Sequence, residues 1–128
     1  MQSSLTYLIV LIGAGLGGAL RHGVNVASLR VFGSGFPFGT LTVNVVGSLA
    51  MGLLGGYFAL RSEPGQIWRL FLTTGVLGGF TTFSTFSLDS VLLYERGEIG
   101  IAVLYVTLSV GAALVGLFAG LFIIRHFA

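Results

Sequence analysis

Residues 75–87 read Gly75-Val76-Leu77-Gly78-Gly79-Phe80-Thr81-Thr82-Phe83-Ser84-Thr85-Phe86-Ser87. Two adjacent glycines and a run of hydroxyl side chains stand inside a segment otherwise fit to cross a membrane. A helix facing only lipid has no use for weak backbone and many hydrogen-bonding groups. Irregular backbone at membrane depth is tolerated where protein buries it or where it lines a wet cavity. The stretch predicts a transmembrane helix broken near its middle, the working part of a channel or transporter.

The rest of the chain agrees with a membrane setting. Of 128 residues 55% are hydrophobic and only 8% charged, and the mean hydropathy is +1.01. A water-soluble domain of this size needs far more charge to cover its surface. The first twenty residues carry no charge and lack a basic leader, which argues against a cleaved signal peptide. Cysteine is absent, so disulfides and thiolate metal sites are excluded. All six basic residues are arginines, set against four acids. Most flank apolar runs, so the positive balance marks membrane edges, and nucleic acid is not expected as a partner.

About twenty apolar residues span the hydrocarbon as a helix, and four segments reach that length. They run from about Leu5 to Leu29, Phe38 to Leu60, Trp68 to Leu88 and Ile99 to Ile124. The connections are Gly33-Ser34-Gly35-Phe36-Pro37, Arg61 to Gln66 with Pro64, and Tyr94 to Glu98. The whole chain, residues 1–128, is therefore expected to be one four-helix, all-α membrane subunit. Small residues recur at four-residue spacing: Gly13/Gly17, Gly52/Gly56, Gly75/Gly79 and Ala112/Gly116/Gly120. Such rows let helix backbones approach closely in lipid, predicting tight packing and contacts between subunits. With the N-terminus inside, Arg61, Arg69 and Arg125 face Arg30 and Arg96 across the membrane. That bias is weak enough to allow insertion both ways and an antiparallel homodimer. Four helices packed through glycine rows hardly enclose a wet hole alone, so a pore needs walls from two chains.

Individual residues narrow the chemistry. Asn44 is an uncharged amide within an apolar run; its NH₂ can donate to an anion without trapping it, or bond a neighbouring helix. Phe80, Phe83 and Phe86 recur every three residues and would form one helical ridge, with Ser84 and Thr85 beside them. A phenyl ring carries a positive edge that attracts anions mildly. Tyr105 and Ser109 share a face four residues apart, and Ala113 ends that polar stripe. Unwinding near Gly78 and Thr81 would free carbonyls suited to a hard cation such as Na⁺. Arg21 interrupts the first span and either attracts anions in a vestibule or pairs with a carboxylate. Asp89 closes the third span.

Three clusters together resemble the Fluc family of fluoride channels, also called CrcB proteins. They are Gly17-Gly18-Ala19-Leu20-Arg21, Gly39-Thr40-Leu41-Thr42-Val43-Asn44-Val45-Val46-Gly47-Ser48, and Gly78-Gly79-Phe80-Thr81-Thr82-Phe83-Ser84-Thr85-Phe86-Ser87. In order, within a four-span chain of this length, they cover essentially the whole sequence. The resemblance implies an antiparallel homodimer in the bacterial inner (plasma) membrane, with two pores that let fluoride leave the cytoplasm passively. It implies a pore lined by Asn44, Phe83, Phe86, Ser84, Thr85, Tyr105 and Ser109, with Phe80 left as packing. It also implies a vestibule at Arg21, Thr40 and Asp89, and a central structural Na⁺ on the backbone carbonyls of Gly78 and Thr81. The family usually has glutamate at the position of Asp89, often an aromatic at that of His22, and a hydroxyl at that of Ala113.

The alternative is a proton-coupled small multidrug-type exporter, also a small four-span dimer. It needs a membrane-embedded carboxylate, and only Asp89 offers one. A purely structural subunit would not need the hydroxyl-rich break. An enzyme is not expected, because no nucleophile–base pair or metal ligand set is evident.

Overall fold

The computed structural model describes residues 3–61 and 65–127; Glu63 and Pro64 of the second connection lie outside the described residues. Four helical runs are long and apolar enough to cross a membrane: Ser4–Phe32, Phe38–Leu60, Gln66–Glu95 and Ile99–Phe127. The first two are α1 and α2. Three of the runs outlast their apolar cores, because backbone hydrogen bonding continues until a residue stops it. Gly33, with φ 75°, ends α1 by donating its N–H to Leu29 O at 3.0 Å.

The third run changes character along its length. It begins as α3 (Gln66–Arg69), continues as a π-helical stretch, Leu70–Leu77, and returns to α-helix at α4 (Gly78–Phe80). Thr81 (φ −88°, ψ 158°) and Thr82 (φ −152°, ψ 122°) then carry extended backbone before α5 (Phe83–Glu95). Local chemistry explains both ends of this interruption. Thr81 sends its N–H and its hydroxyl to the same carbonyl, Leu77 O, each at 3.0 Å. The Thr82 hydroxyl accepts the Thr85 N–H at 3.2 Å, as an N-cap does.

Two expectations are corrected here. Phe80 lies in α4 while Phe83 and Phe86 lie in α5, so the three rings do not form one ridge. Asp89 does not close the span; α5 carries on past it to Glu95, and Gly97 (φ 83°) makes the turn into α6 (Ile99–Phe127).

The helices pair as α1 against residues 70–80 and α2 against α6. Glycine rows set both seams within the chain. A Cβ on Gly13 would lie 2.8 Å from Phe71 O and 2.9 Å from Gly75 Cα, and one on Gly17 would meet Val76 O and Phe80 N. In the other pair, Gly52 abuts Leu117 O, and a Cβ on Gly120 would be 2.7 Å from Leu53 N. Backbone-to-backbone approach of this kind supplies the dispersion contact that holds helices together in lipid. Large apolar side chains such as Leu114, Val115 and Phe118 face outward, the expected distribution when the solvent is hydrocarbon. A small core of Phe86, Leu93, Ala102 and Tyr105 joins α5 to α6.

Candidate functional site

Asn44, on α2, reaches the interruption directly. Its Nδ2 donates to Thr82 O at 2.9 Å, and its Oδ1 accepts the Thr82 N–H at 2.8 Å. One amide thus satisfies both main-chain groups of an extended residue, as a neighbouring β-strand would. An amide NH₂ carries two donors, so one N–H remains beyond this pair. Of the two uses read from the sequence, the interhelical hydrogen bond is present, and it leaves a donor over.

Asn44 also lines a cavity of about 310 Å³ with Phe83, Phe86, Ser109, Ala113 and Thr81. The ring centroids of Phe83 and Phe86 are 5.5 Å apart. Phe86 is buried, whereas Phe83 is 77% exposed and stands at the open side. The Ser109 hydroxyl is buried and has no hydrogen-bond partner among the described residues. A buried hydroxyl without a strong partner is costly; this one stands near the Tyr105 hydroxyl and belongs to the cavity wall. Ala113 contributes a methyl where the polar stripe stops.

Tyr105 is fully buried behind this cavity and touches residues that line it and residues that line a second one. Its ring lies 5.4 Å from Phe86 and meets Phe36 edge-on at 5.5 Å. Its hydroxyl donates to Asp89 Oδ2 at 3.1 Å. Asp89 in turn lines a cleft of about 280 Å³ with Thr40 and Thr85, near the loop that joins α1 to α2. The residues expected along one track therefore divide between two spaces, with Tyr105 lining neither and packed between Phe86 of one and Phe36 and Asp89 of the other. Ser84 lines neither; its hydroxyl is 3.4 Å from that of Thr82.

Arg21 settles on a partner that the sequence did not suggest. Its Nε donates to Gly79 O at 3.0 Å, so it binds a backbone carbonyl rather than a carboxylate. A cation at the C-terminal end of α4 is favourable, because the last carbonyls there lack helical partners. Gly78 O loses its ordinary helical donor too, since the Thr82 N–H turns to Asn44. Gly78 itself is exposed, and a Cβ there would meet nothing nearer than Thr73 O at 3.8 Å.

Thr82, one hydroxyl among several in the sequence, both caps α5 and pairs with Asn44. A threonine three residues before Thr85, at the start of a helical run, is itself a capping signal.

The comparisons with known proteins point one way. Residues 8–121 match the family model described as CrcB-like protein, Camphor Resistance (CrcB). The fluoride-specific ion channel FluC 2 of Nitrobacter hamburgensis is 60% identical over 122 residues, covering 95% of this chain and 98% of its own. The fluoride-specific ion channel FluC of Methylobacterium nodulans is 62% identical over 123 residues, covering 96% and 98%. That of Rhodopseudomonas palustris (strain BisB5) is 57% identical over 121 residues, covering 94% and 98%. A family model matched over most of the chain, and relatives of this identity matched nearly end to end, give one conclusion: the chain belongs to the CrcB-like protein family.

Proposed function

We propose that this chain is a subunit of a fluoride-selective passive channel that lets F⁻ out of the cytoplasm. The relatives carry that name, and the chain is a multi-pass membrane protein of the same family. The observation that carries the reading is one cavity whose wall gathers the Asn44 amide, the buried Ser109 hydroxyl and the rings of Phe83 and Phe86. Fluoride is small and strongly hydrated, so a path must replace its water with neutral donors at close range. Hydroxyl, amide and ring hydrogens do this without the deep well that an arginine would make. Coupled cation export is disfavoured because it needs a membrane-embedded carboxylate for proton exchange and the sequence offers only Asp89.

The cavity is open on one side, at Phe83, and a second copy is the wall we assign to it. An antiparallel homodimer in the plasma membrane then holds two equivalent pores by symmetry. Arg21 and Thr40 would stand at the vestibule with Asp89, and Thr85 and Tyr105 between vestibule and cavity. We assign a structural Na⁺ to the carbonyls of Gly78 and Thr81 from both copies. The donor chemistry fits, since these are hard oxygens, Gly78 O has lost its helical donor, and no Cβ crowds that position. Such an ion would tie two interruptions together and take no part in conduction.

The test is release of fluoride from liposomes. Vesicles loaded with potassium fluoride are diluted into fluoride-free medium, a potassium ionophore is added, and a fluoride electrode follows efflux. Fast fluoride loss with chloride retained, slowed by Phe83→Ile or Phe86→Ile, is the expected result. No release from folded, dimeric protein would overturn the reading.

A further inference from the structure

Gly13, Gly17, Arg21 and Asn25 recur every fourth residue and so lie on one face of α1. The first two rest on the backbone of residues 71–80, and the third reaches Gly79 O. Beyond that point the third span turns away at Thr81, and the same face of α1 passes to α2. There Asn25 lies directly against Gly39. A Cβ on Gly39 would collide with Asn25 Oδ1 and stand 3.2 Å from Asn25 Cα. Only glycine at 39 leaves the amide in this place.

The amide lines the cleft that Thr40, Thr85 and Asp89 also line, and Ser28 stands beside it on α1. An anion arriving there meets the Asp89 carboxylate, which repels it. The Tyr105 hydroxyl already draws on one Asp89 oxygen, and the cleft needs neutral donors to offset the rest. An asparagine amide supplies two N–H donors and no charge. We propose that Asn25 is a further specificity-determining residue of the anion path. It takes over part of the hydration shell of an incoming anion at the cleft, before the anion reaches Tyr105. The proposal rests on the fluoride-channel reading.

Its test compares the wild type with Asn25→Asp, which keeps the shape and adds charge, Asn25→Leu, which removes the donors, and Asn25→Ser, which keeps one. Initial fluoride release is measured over a range of fluoride loads and of sodium gluconate concentrations. For Asn25→Asp we expect release to fall about fivefold at low ionic strength, the scale of one unit charge acting on another across a few ångströms of water. Most of that loss should return at about 1 M salt, where the screening length is about 3 Å. For Asn25→Leu, release should fall at low fluoride and keep its maximum rate, with Asn25→Ser closer to the wild type. Wild-type release by both Asp and Leu variants at every condition would overturn the proposal. So would a loss that is equal at all fluoride and salt concentrations, or that tracks loss of dimer, since packing alone would produce it. Should Asn25→Asp fail to assemble, the Leu and Ser variants decide between these outcomes. Wild-type protein that releases no fluoride would instead overturn the channel reading, and this inference with it.

Discussion

Asn44 and Thr82 exchange two hydrogen bonds, 2.9 and 2.8 Å long, between a side-chain amide and one extended main-chain residue. This pair couples α2 to the interruption in the third span. It gives Asn44 a structural duty beside the polar surface it offers the cavity, and substitution bears on both.

Asn44→Ala should strip both partners from Thr82 and leave its N–H and C=O unsatisfied in a part-buried site. A loss of about 2–4 kcal/mol is expected, from one or two orphaned polar groups. Asn44→Asp should keep the acceptor for the Thr82 N–H but set a carboxylate oxygen against Thr82 O, acceptor facing acceptor, so it should unfold at least as easily as Asn44→Ala. It should also conduct poorly, because it places negative charge on the cavity wall. Thermal unfolding in detergent alongside liposome efflux checks both parts; wild-type unfolding of either variant would contradict the account.

Gly17→Ala and Gly15→Ala form a matched pair on α1. The first directs a methyl into Val76 O and Phe80 N, main-chain atoms that cannot swing aside, whereas a Cβ at Gly15 meets nothing within 4 Å. Gly17→Ala should destabilise by about 1–3 kcal/mol or more, as overpacking does. Gly15→Ala should be neutral or gain up to about 1 kcal/mol from helix propensity. Unfolding midpoints and size-exclusion profiles of the two variants provide the comparison.

Ser109→Ala removes a buried hydroxyl that has no partner among the described residues. Stability should hold or rise by roughly 1 kcal/mol, since an unsatisfied polar group disappears. Fluoride efflux should fall, because a donor leaves the cavity wall. Opposite signs for stability and flux would identify this hydroxyl as functional rather than structural, and a parallel fall in both would count against it.

Arg21→Gln should weaken the hold on Gly79 O and remove a cation from the C-terminal end of α4. The expected cost is about 1–2 kcal/mol, combining a charge-assisted hydrogen bond with a helix-end interaction. Arg21→Lys should recover part of it, as a point charge with no planar fork. Unfolding midpoints of the three proteins test the order Arg, then Lys, then Gln.

Four spans, their short connections and the small-residue rows could be read from the sequence, because hydropathy and four-residue spacing act locally. The backbone pairing of Gly17 with residues 76–80 follows from those rows. What could not be read were partners fixed by the path of the chain. The sequence offers Arg21 a vestibule or a carboxylate, and nothing in its neighbours names Gly79 O. The division of Thr85 and Asp89 from Ser109 is equally hidden, because it depends on how α5 rotates after Thr82. Asn44 is the middle case: both of its possible uses were visible, and only the distance to Thr82 assigned one.

The π-helical stretch Leu70–Leu77 carries a further consequence, one of phase. Closing hydrogen bonds one residue later than an α-helix does makes such a stretch equivalent to an α-helix with a residue inserted. Were the stretch to relax to ordinary α-helical pitch with every residue kept, everything after it would rotate by about 100°, the α-helical angle per residue. Gly75 and Gly79 would leave the face that meets Gly13 and Gly17, and Gly79 O would swing away from Arg21. Removing one residue as it relaxed would largely restore the phase. The stretch is thus a timing mark for the whole third span, and the angular setting of every group beyond residue 77 is counted from it.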